Sequence, residues 1–540
     1  MAGNALHPRP NLPVTRGGHP HRACRRAGMI LLVVLVTVAL LALGALTFAE
    51  LMLAEREGTE IYGRLSQARA AAASGMEAAR FLTSLDEDAL AENGGWFDNP
   101  TWFAGVTVRE ETDPRSTAYY SVISPGGQDY STSSGVRYGL ENESAKLNVN
   151  SLLLADQYVE NGGRQLLMAL PGMTEDVADA IMDWIDADDE PREFGAEVDY
   201  YASLSPAYAP KNGPLETVEE LLLIRGVTPE LLFGGDRNRN GMIDANETVP
   251  EELSALGIAD TTAYRGWAAY LTLFSMELNV RPDGSAKINI NQDDLEDLYN
   301  RSEAELGSQV ATFIIGYRQN GPYDGTEELQ PLEETALPDF TRPSRATFST
   351  VLDLIDARVR MQVEGAEEPV VVGPLWSTSQ PGILRVALPL IMANLTATPS
   401  QVIPGRININ LAPPSILYGI PGLDASVADA IIDFRPTDPI NLDDEQYRYE
   451  TWLLADGLVT LDEMKALMPF ITCGGNVFKG QVVGYLGSGI PAVRHEVMID
   501  ATVRPARVLF WRDMSQLGRG FDADVLSGSA TSAGLGLPEF

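Results

Sequence analysis

The stretch Arg25–Glu50, "RRAGMILLVVLVTVALLALGALTFAE", decides how the rest of the chain is read. Its 21 uncharged residues, Met29–Ala49, rise as a helix by ~1.5 Å each and so cover about 30 Å, the hydrocarbon thickness of a bilayer. A disposable secretory core is shorter, roughly 7–15 residues, so the run reads as an uncleaved span. Five arginines (Arg9, Arg16, Arg22, Arg25, Arg26) precede it and no acidic residue occurs before Glu50. That asymmetry puts the N-terminal piece in the cytoplasm and the remainder across the membrane. Beyond the span, Ile61, Leu65, Ala68, Ala72, Met76, Ala79 and Leu82 recur every three to four residues, one apolar face of a continuing helix. This face is the expected contact surface for partner helices.

Charge excludes several functions. The formal charge is −36, and removing the leader's five positive charges leaves −41 on the part beyond Ala27. Such a surface repels nucleic acid and anionic lipid and suits cations and basic partners. Cys24 falls in the leader and Cys473 stands alone beyond the span, so no intrachain disulfide is expected in the processed chain. Of four histidines only His495 lies outside the leader. It alternates with apolar residues as in a strand, and no nucleophile elbow or HExxH zinc pattern accompanies it. A membrane-tethered hydrolase is the least supported reading.

Between Gly94 and Asn150, short β-branched and aromatic runs divided by Pro, Gly, Asn and Ser predict a small antiparallel sheet. Its last run begins a repeat. "SAKLNVNSLL" (Ser144–Leu153) returns as "SAKININQDDL" (Ser285–Leu295) and as "PGRININLAPPSIL" (Pro404–Leu417). Each copy is followed by a related helix, opening at Val177, Val310 and Val427, and in two copies a Pro-Gly turn precedes it. These units resemble helix-hairpin-helix elements, here expected to be scaffold. The asparagines are expected to bond local backbone and fix a turn after a strand.

"DRNRNGMIDANE", Asp236–Glu247, fits a twelve-residue calcium loop place by place. Asp236, Asn238 and Asn240 stand first, third and fifth, where alternate side chains face one centre. Gly241 is sixth, at the sharp turn. Met242 offers its carbonyl from the seventh place, Asp244 is ninth, and Glu247 is the bidentate twelfth. The bland alternative is a solvated Asn/Gly turn. "DADDEPREFGAE", Asp186–Glu197, has carboxylates at Asp186, Asp188, Glu190 and Glu197 but Pro191 where glycine belongs, and is the weaker second candidate. Structural Ca2+ is the expected cofactor.

A basic leader ending at Gly28, an apolar helix starting at Met29 and an amphipathic continuation resemble type IV pilins and the pseudopilins of type II secretion. "GLENESAKLNVNSLL", "LPGMTEDVADAIMDWIDADDEPREFGAEVDYY" and "NGPLETVEELLLIRGVTPELL" resemble, in order, segments of the K-type minor pseudopilin. The resemblance implies prepilin peptidase cleavage between Gly28 and Met29, and a single-pass inner-membrane protein with a periplasmic head. It implies I- and J-type minor pseudopilins, other pseudopilins and the inner-membrane secretion platform as partners, no nucleic acid, and no enzymatic activity. Most of the family carry glutamate five residues into the mature chain, where this one has Val33. A tip subunit, with no subunit above it, can do without that glutamate.

The expected fold is α+β: a pilin-like transmembrane and amphipathic stem helix, a small antiparallel sheet, and large helix-hairpin-helix-like insertions in a repeated head. The boundaries read as leader 1–28, membrane helix 29–49, stem 50–93, β region 94–150, first repeat with the calcium loop 151–284, second repeat 285–403, third repeat with C-terminal strands 404–520, and flexible tail 521–540. The expected function is to initiate or cap the filament that drives protein export. A membrane-anchored, calcium-binding envelope or adhesion protein is the alternative.

Overall fold

The computed structural model describes residues 26–126, 135–254, 264–363, 368–440, 442 and 444–529. Leader residues 1–25 and tail residues 530–540 therefore lie outside the described part. The chain divides into two compact units, Met1–Arg64 and Leu65–Phe540. One helix, Arg26–Thr83, supplies the described part of the first unit and the opening segment of the second. In the first unit the large side chains from Met29 to Leu53 are exposed, as a run of Leu, Val and Ile without polar alternation requires of a segment suited to lipid.

Within the second unit the helix lies on a sheet. Ala68, Ala72, Ala79 and Leu82 are buried and share a core with Tyr120, Val122, Val482, Val493 and Ile499. Small residues permit this approach: a Cβ at Gly484 would stand 2.1 Å from the Ala68 carbonyl oxygen and 2.3 Å from the Ala72 nitrogen. From Leu65 onward, then, the apolar face expected to meet partner helices is covered by the chain's own strands. Periodicity had marked that face as buried without saying what would bury it.

The sheet is antiparallel in the order Val106–Arg109, Ala118–Pro125, Val477–Leu486, Ala492–Asp500, Arg507–Asp513. Two strands come from the β region and three from the far end of the chain, so all the repeats are inserted between them. Short segments Val136–Arg137 and Glu141–Asn142 pair with the ends of the inner strands Ala118–Pro125 and Val477–Leu486, respectively. His495 is in the fourth strand, with its ring 5.1 Å from that of Trp511.

Each repeat closes on a two-residue parallel pairing: Leu147–Asn148 with Leu271–Thr272, Ile288–Asn289 with Leu395–Thr396, and Ile407–Asn408 with Ile471–Thr472. The first asparagine accepts the backbone N–H two residues on, at 3.0 Å in all three copies. The second reaches across its repeat. Asn150 accepts from the Leu215 N–H at 2.7 Å and donates to its carbonyl at 3.0 Å, and Asn291 does the same with Phe348 at 2.8 and 2.9 Å. Asn410 donates to the Tyr447 carbonyl at 2.8 Å. The repeats do not form one core. Buried residues of the first and third mix in one cluster, to which the second contributes Leu352, Ile355, Leu384 and Leu388, while a further core of the second centres on Leu298, Phe313, Ile314 and Ile391. The second hangs from a bracket in which Met276–Leu278 pairs antiparallel with Val402–Pro404.

The expected tail is corrected over residues 521–529. Phe521 and Leu526 are buried, Ala523–Leu526 is helical, and the Ser121 and Tyr485 hydroxyls donate to the Leu526 carbonyl at 2.6 and 2.9 Å.

Because Asn150 and Asn291 serve different cores, Asn150→Ala and Asn291→Ala are expected each to cost about 1–3 kcal/mol, two or more partly buried hydrogen bonds apiece. Urea unfolding should show the two substitutions moving different transitions. A single shared transition would show that the cores unfold together.

Candidate metal centres

The helix Pro229–Phe233 ends at Gly234, and the chain then wraps into the 236–247 loop. Arg239 and Gly241 take the left-handed backbone conformation, with φ of 58° and 82°. The tight turn follows from these two, and only glycine adopts it without cost. Asp236, buried, accepts the N–H of Asn240 at 3.0 Å on one oxygen and that of Gly241 at 2.7 Å on the other. Asn238 and Asn240 each donate a side-chain N–H to Asp244, at 2.6 and 3.0 Å. Glu247 folds back to accept the N–H groups of Arg237, Asn238 and Asp244 at 2.9, 3.1 and 3.0 Å. The side chains singled out by spacing are thus brought to one concave loop.

Among the described residues no three Asp, Glu, His or Cys side chains gather as a ready metal cluster. The loop's carboxylates are held apart by asparagine amides and backbone N–H groups. The donor set is nevertheless all oxygen, two Asp, two Asn and one Glu, which fits a hard divalent cation. Burial, with the Glu247 charge adding to it against the stabilising Gly241 N–H, lifts the Asp236 carboxyl to about 6. A cation in the loop would relieve that cost.

The second candidate is built differently from its spacing. Glu190 and Asp188 are exposed, and Asp188 only caps the Glu190 N–H at 3.0 Å. In their place the helix Glu175–Ile185 contributes Asp183, fully buried, which accepts the Ala196 N–H at 2.8 Å and the Arg192 guanidinium at 3.1 Å. Arg192 also pairs with Asp186. A twelve-residue template broken by Pro191 could not anticipate either Asp183, which precedes it, or the internal cation. Glu197 is the informative residue. It is 4% exposed and neither carboxylate oxygen has a hydrogen-bond partner, and one oxygen of Asp186 is likewise unpartnered. Burial first, then the charges of Asp183, Asp186, Asp189 and Asp188, lift the Glu197 carboxyl from 4.5 to about 7. Two buried, unpaired carboxylate oxygens beside a second carboxylate fit a divalent cation.

Residues 145–233 match the family model described as "Type II secretion system (T2SS), protein K". The Type II secretion system protein K of Klebsiella pneumoniae is 27% identical over 216 residues, 38% of this chain and 60% of that protein. The matched region therefore spans about three-fifths of that relative's length. A solved structure, the GspK-GspI-GspJ complex from the enterotoxigenic Escherichia coli Type 2 Secretion System, aligns over 85% of this chain and 98% of its own at 12% identity. Its TM-score of 0.36 is too low to compare the folds element by element. The family match takes in the first Asn strand and the 186–197 segment and ends just before Asp236. Over that segment the chain is similar to protein K.

The raised carboxyls give a pH dependence of definite sign. Between about 4.5 and about 7 folded Glu197 holds a proton that the unfolded chain has lost, so its contribution to stability falls as pH rises through that window. Asp236 acts in the same direction between 3.8 and about 6. In EGTA, Glu197→Gln should therefore raise the melting temperature near pH 8 and leave it unchanged near pH 4. Equal shifts at both pH values would mean that Glu197 is not buried as a charge.

Proposed function

We propose that this chain is a minor pseudopilin of the K type, a non-enzymatic subunit that initiates or caps the pseudopilus of a type II secretion system. The observation that carries this reading is the protein K family match over residues 145–233, which coincides with most of the first repeat. The helix from Met29 is long and apolar enough, by length and composition, to cross a membrane. It supports a single span in the inner membrane, with the basic leader in the cytoplasm and the head in the periplasm. Prepilin peptidase then removes the leader between Gly28 and Met29. The I- and J-type minor pseudopilins are the nearest partners, with other pseudopilins and the inner-membrane platform beyond them. Val33, in place of the family's usual glutamate, suits a subunit with none above it. Since the sheet covers the helix face at Ala68, Ala72 and Ala79, partner helices meet other faces.

In this reading Ca2+ is a structural ion. The side chains of Asp236, Asn238, Asn240, Asp244 and Glu247, with the Met242 carbonyl, would hold one ion, and Asp186 with Glu197 a second. Bound calcium supplies the positive charge that these buried oxygens lack. The protein's own contribution is to preorganise them, through the Asn240 and Gly241 N–H groups on Asp236 and the helix that carries Asp183.

Two measurements test the reading. Mass spectrometry of the membrane-extracted chain should find a mature start at Met29, lost on Gly28→Leu; a start between Ala45 and Glu50 would show signal-peptidase cleavage and exclude the pseudopilin. For calcium, a Kd on the order of 10⁻⁴ M implies about 1.4 kcal/mol of stabilisation at about 1 mM ion. Thermal unfolding of the full chain in detergent should show that gain, and Asp236→Ala with Glu247→Ala should reduce it. An identical calcium response from the double variant would leave 236–247 a plain turn.

A further inference from the structure

The outer edge of the 236–247 loop is held by residues far along the chain. Gln481, in the strand Val477–Leu486, donates to the Arg239 carbonyl at 2.6 Å. Arg494, in the strand Ala492–Asp500, donates to the Asn238 carbonyl. Asn240 donates to the Gly520 carbonyl at 2.7 Å. In a twelve-residue calcium loop the third and fifth places give side chains and the seventh gives a carbonyl. The carbonyls of Asn238 and Arg239 are therefore free to face outward, and here both are taken by the last strands. Gly241 abuts the sheet as well: a Cβ there would stand 2.2 Å from the Pro125 ring.

Arg494 makes these contacts more than incidental. It is fully buried, and its Nε and Nη1 have no partner, so the loop carbonyl is the acceptor that its guanidinium does have. A buried guanidinium deprived of its acceptor is costly. If the loop shifts, Arg494 must find water, which means parting the strand from the loop. Arg239 adds a second tie, because Glu219 accepts both its guanidinium, at 2.6 Å, and that of Arg512 in the strand Arg507–Asp513. A charged cavity of about 120 Å³, lined by Glu219, Arg239, Gln481, Glu496 and Arg512, lies along this seam.

We infer that the 236–247 loop is a cation-dependent clasp, which when loaded with a divalent ion fastens the last strands and the segment around Gly520 to the first repeat. The inference rests on the calcium reading given above. Asp236 and Glu247 repel one another in the empty loop, and the ion converts that repulsion into a fixed loop shape. The fixed shape holds the Asn238 and Arg239 carbonyls where Arg494 and Gln481 find them. By linkage, the strands must in turn strengthen ion binding.

The experiment is hydrogen–deuterium exchange on the full chain in detergent micelles, in CaCl2 and in EGTA, with calorimetric calcium titration of the same sample. Calcium should slow exchange at least about tenfold in 236–247 and also in peptides covering 492–497 and 514–521. Gln481→Ala, which touches no ion ligand, should weaken calcium binding about threefold or more; Arg494→Met should do so more strongly if it folds. Calcium binding with slowed exchange confined to 236–247, or an unchanged affinity in Gln481→Ala, overturns the clasp and leaves the calcium loop standing. Failure to bind calcium in the titration overturns both.

Discussion

The pairing of Val477–Leu486 with Ala118–Pro125 is the constraint on which the rest of the second unit depends. It joins the two ends of a chain that has passed through all three repeats in between, and closing so long a loop is entropically unfavourable and slow until the intervening residues are ordered. The repeats remove that difficulty by closing locally. Each binds its beginning to its end through a two-residue parallel pairing, and the second asparagine of each motif ties the middle down. Once the repeats have folded, the ends that must meet are already near each other. The stem helix then finds a finished surface, and its alanines can sit against Gly484.

Legibility from sequence followed distance along the chain. The stem helix, the Asn motif and the turn at 236–247 were readable because their logic is local: a run of apolar residues, a turn after a strand, a glycine among Asx residues. The partners of those elements were not. Leu271–Thr272, Leu395–Thr396 and Ile471–Thr472 are too short to carry any periodicity. The C-terminal strands read as an appendix to the third repeat because nothing in their own sequence names Ala118–Pro125. At the second candidate centre the twelve-residue template selected Glu190, which the structure leaves exposed, and passed over Asp183, which a helix carries in from outside the window. The covering of the stem's apolar face was hidden for the same reason.

The acidic balance also has a structural side. Cations are spent indoors. Lys146 heads the first Asn strand and pairs with Glu141 at 3.1 Å and Glu143 at 2.8 Å. Arg406 heads the third and pairs with Glu277 and, at 3.1 Å, Glu450, while Arg192 is occupied by Asp183 and Asp186. Burial alone would push the Glu141 carboxyl up, yet Lys146, Arg265, Lys479 and Arg137 together bring it down to about 2. Removing one partner from such a pair costs more than the pair itself contributes. Lys146 and Arg192 find their carboxylates within their own segments, whereas Arg406 takes Glu277 from the end of the first repeat and Glu450 from further along its own, a match that favours one arrangement of the first and third repeats over others of similar apolar burial.

The bracket of Met276–Leu278 and Val402–Pro404 means that the chain enters and leaves the second repeat at hydrogen-bonded neighbours, Leu278 beside Val402. The second repeat also packs on its host: Leu384 and Leu388 of the helix Pro381–Asn394 enter the cluster shared by the first and third repeats, and Arg385 pairs with Asp444 and Asp456. Two adjacent strand ends thus fix where the second repeat is joined, and this side-chain seam fixes how it is turned against the rest of the second unit.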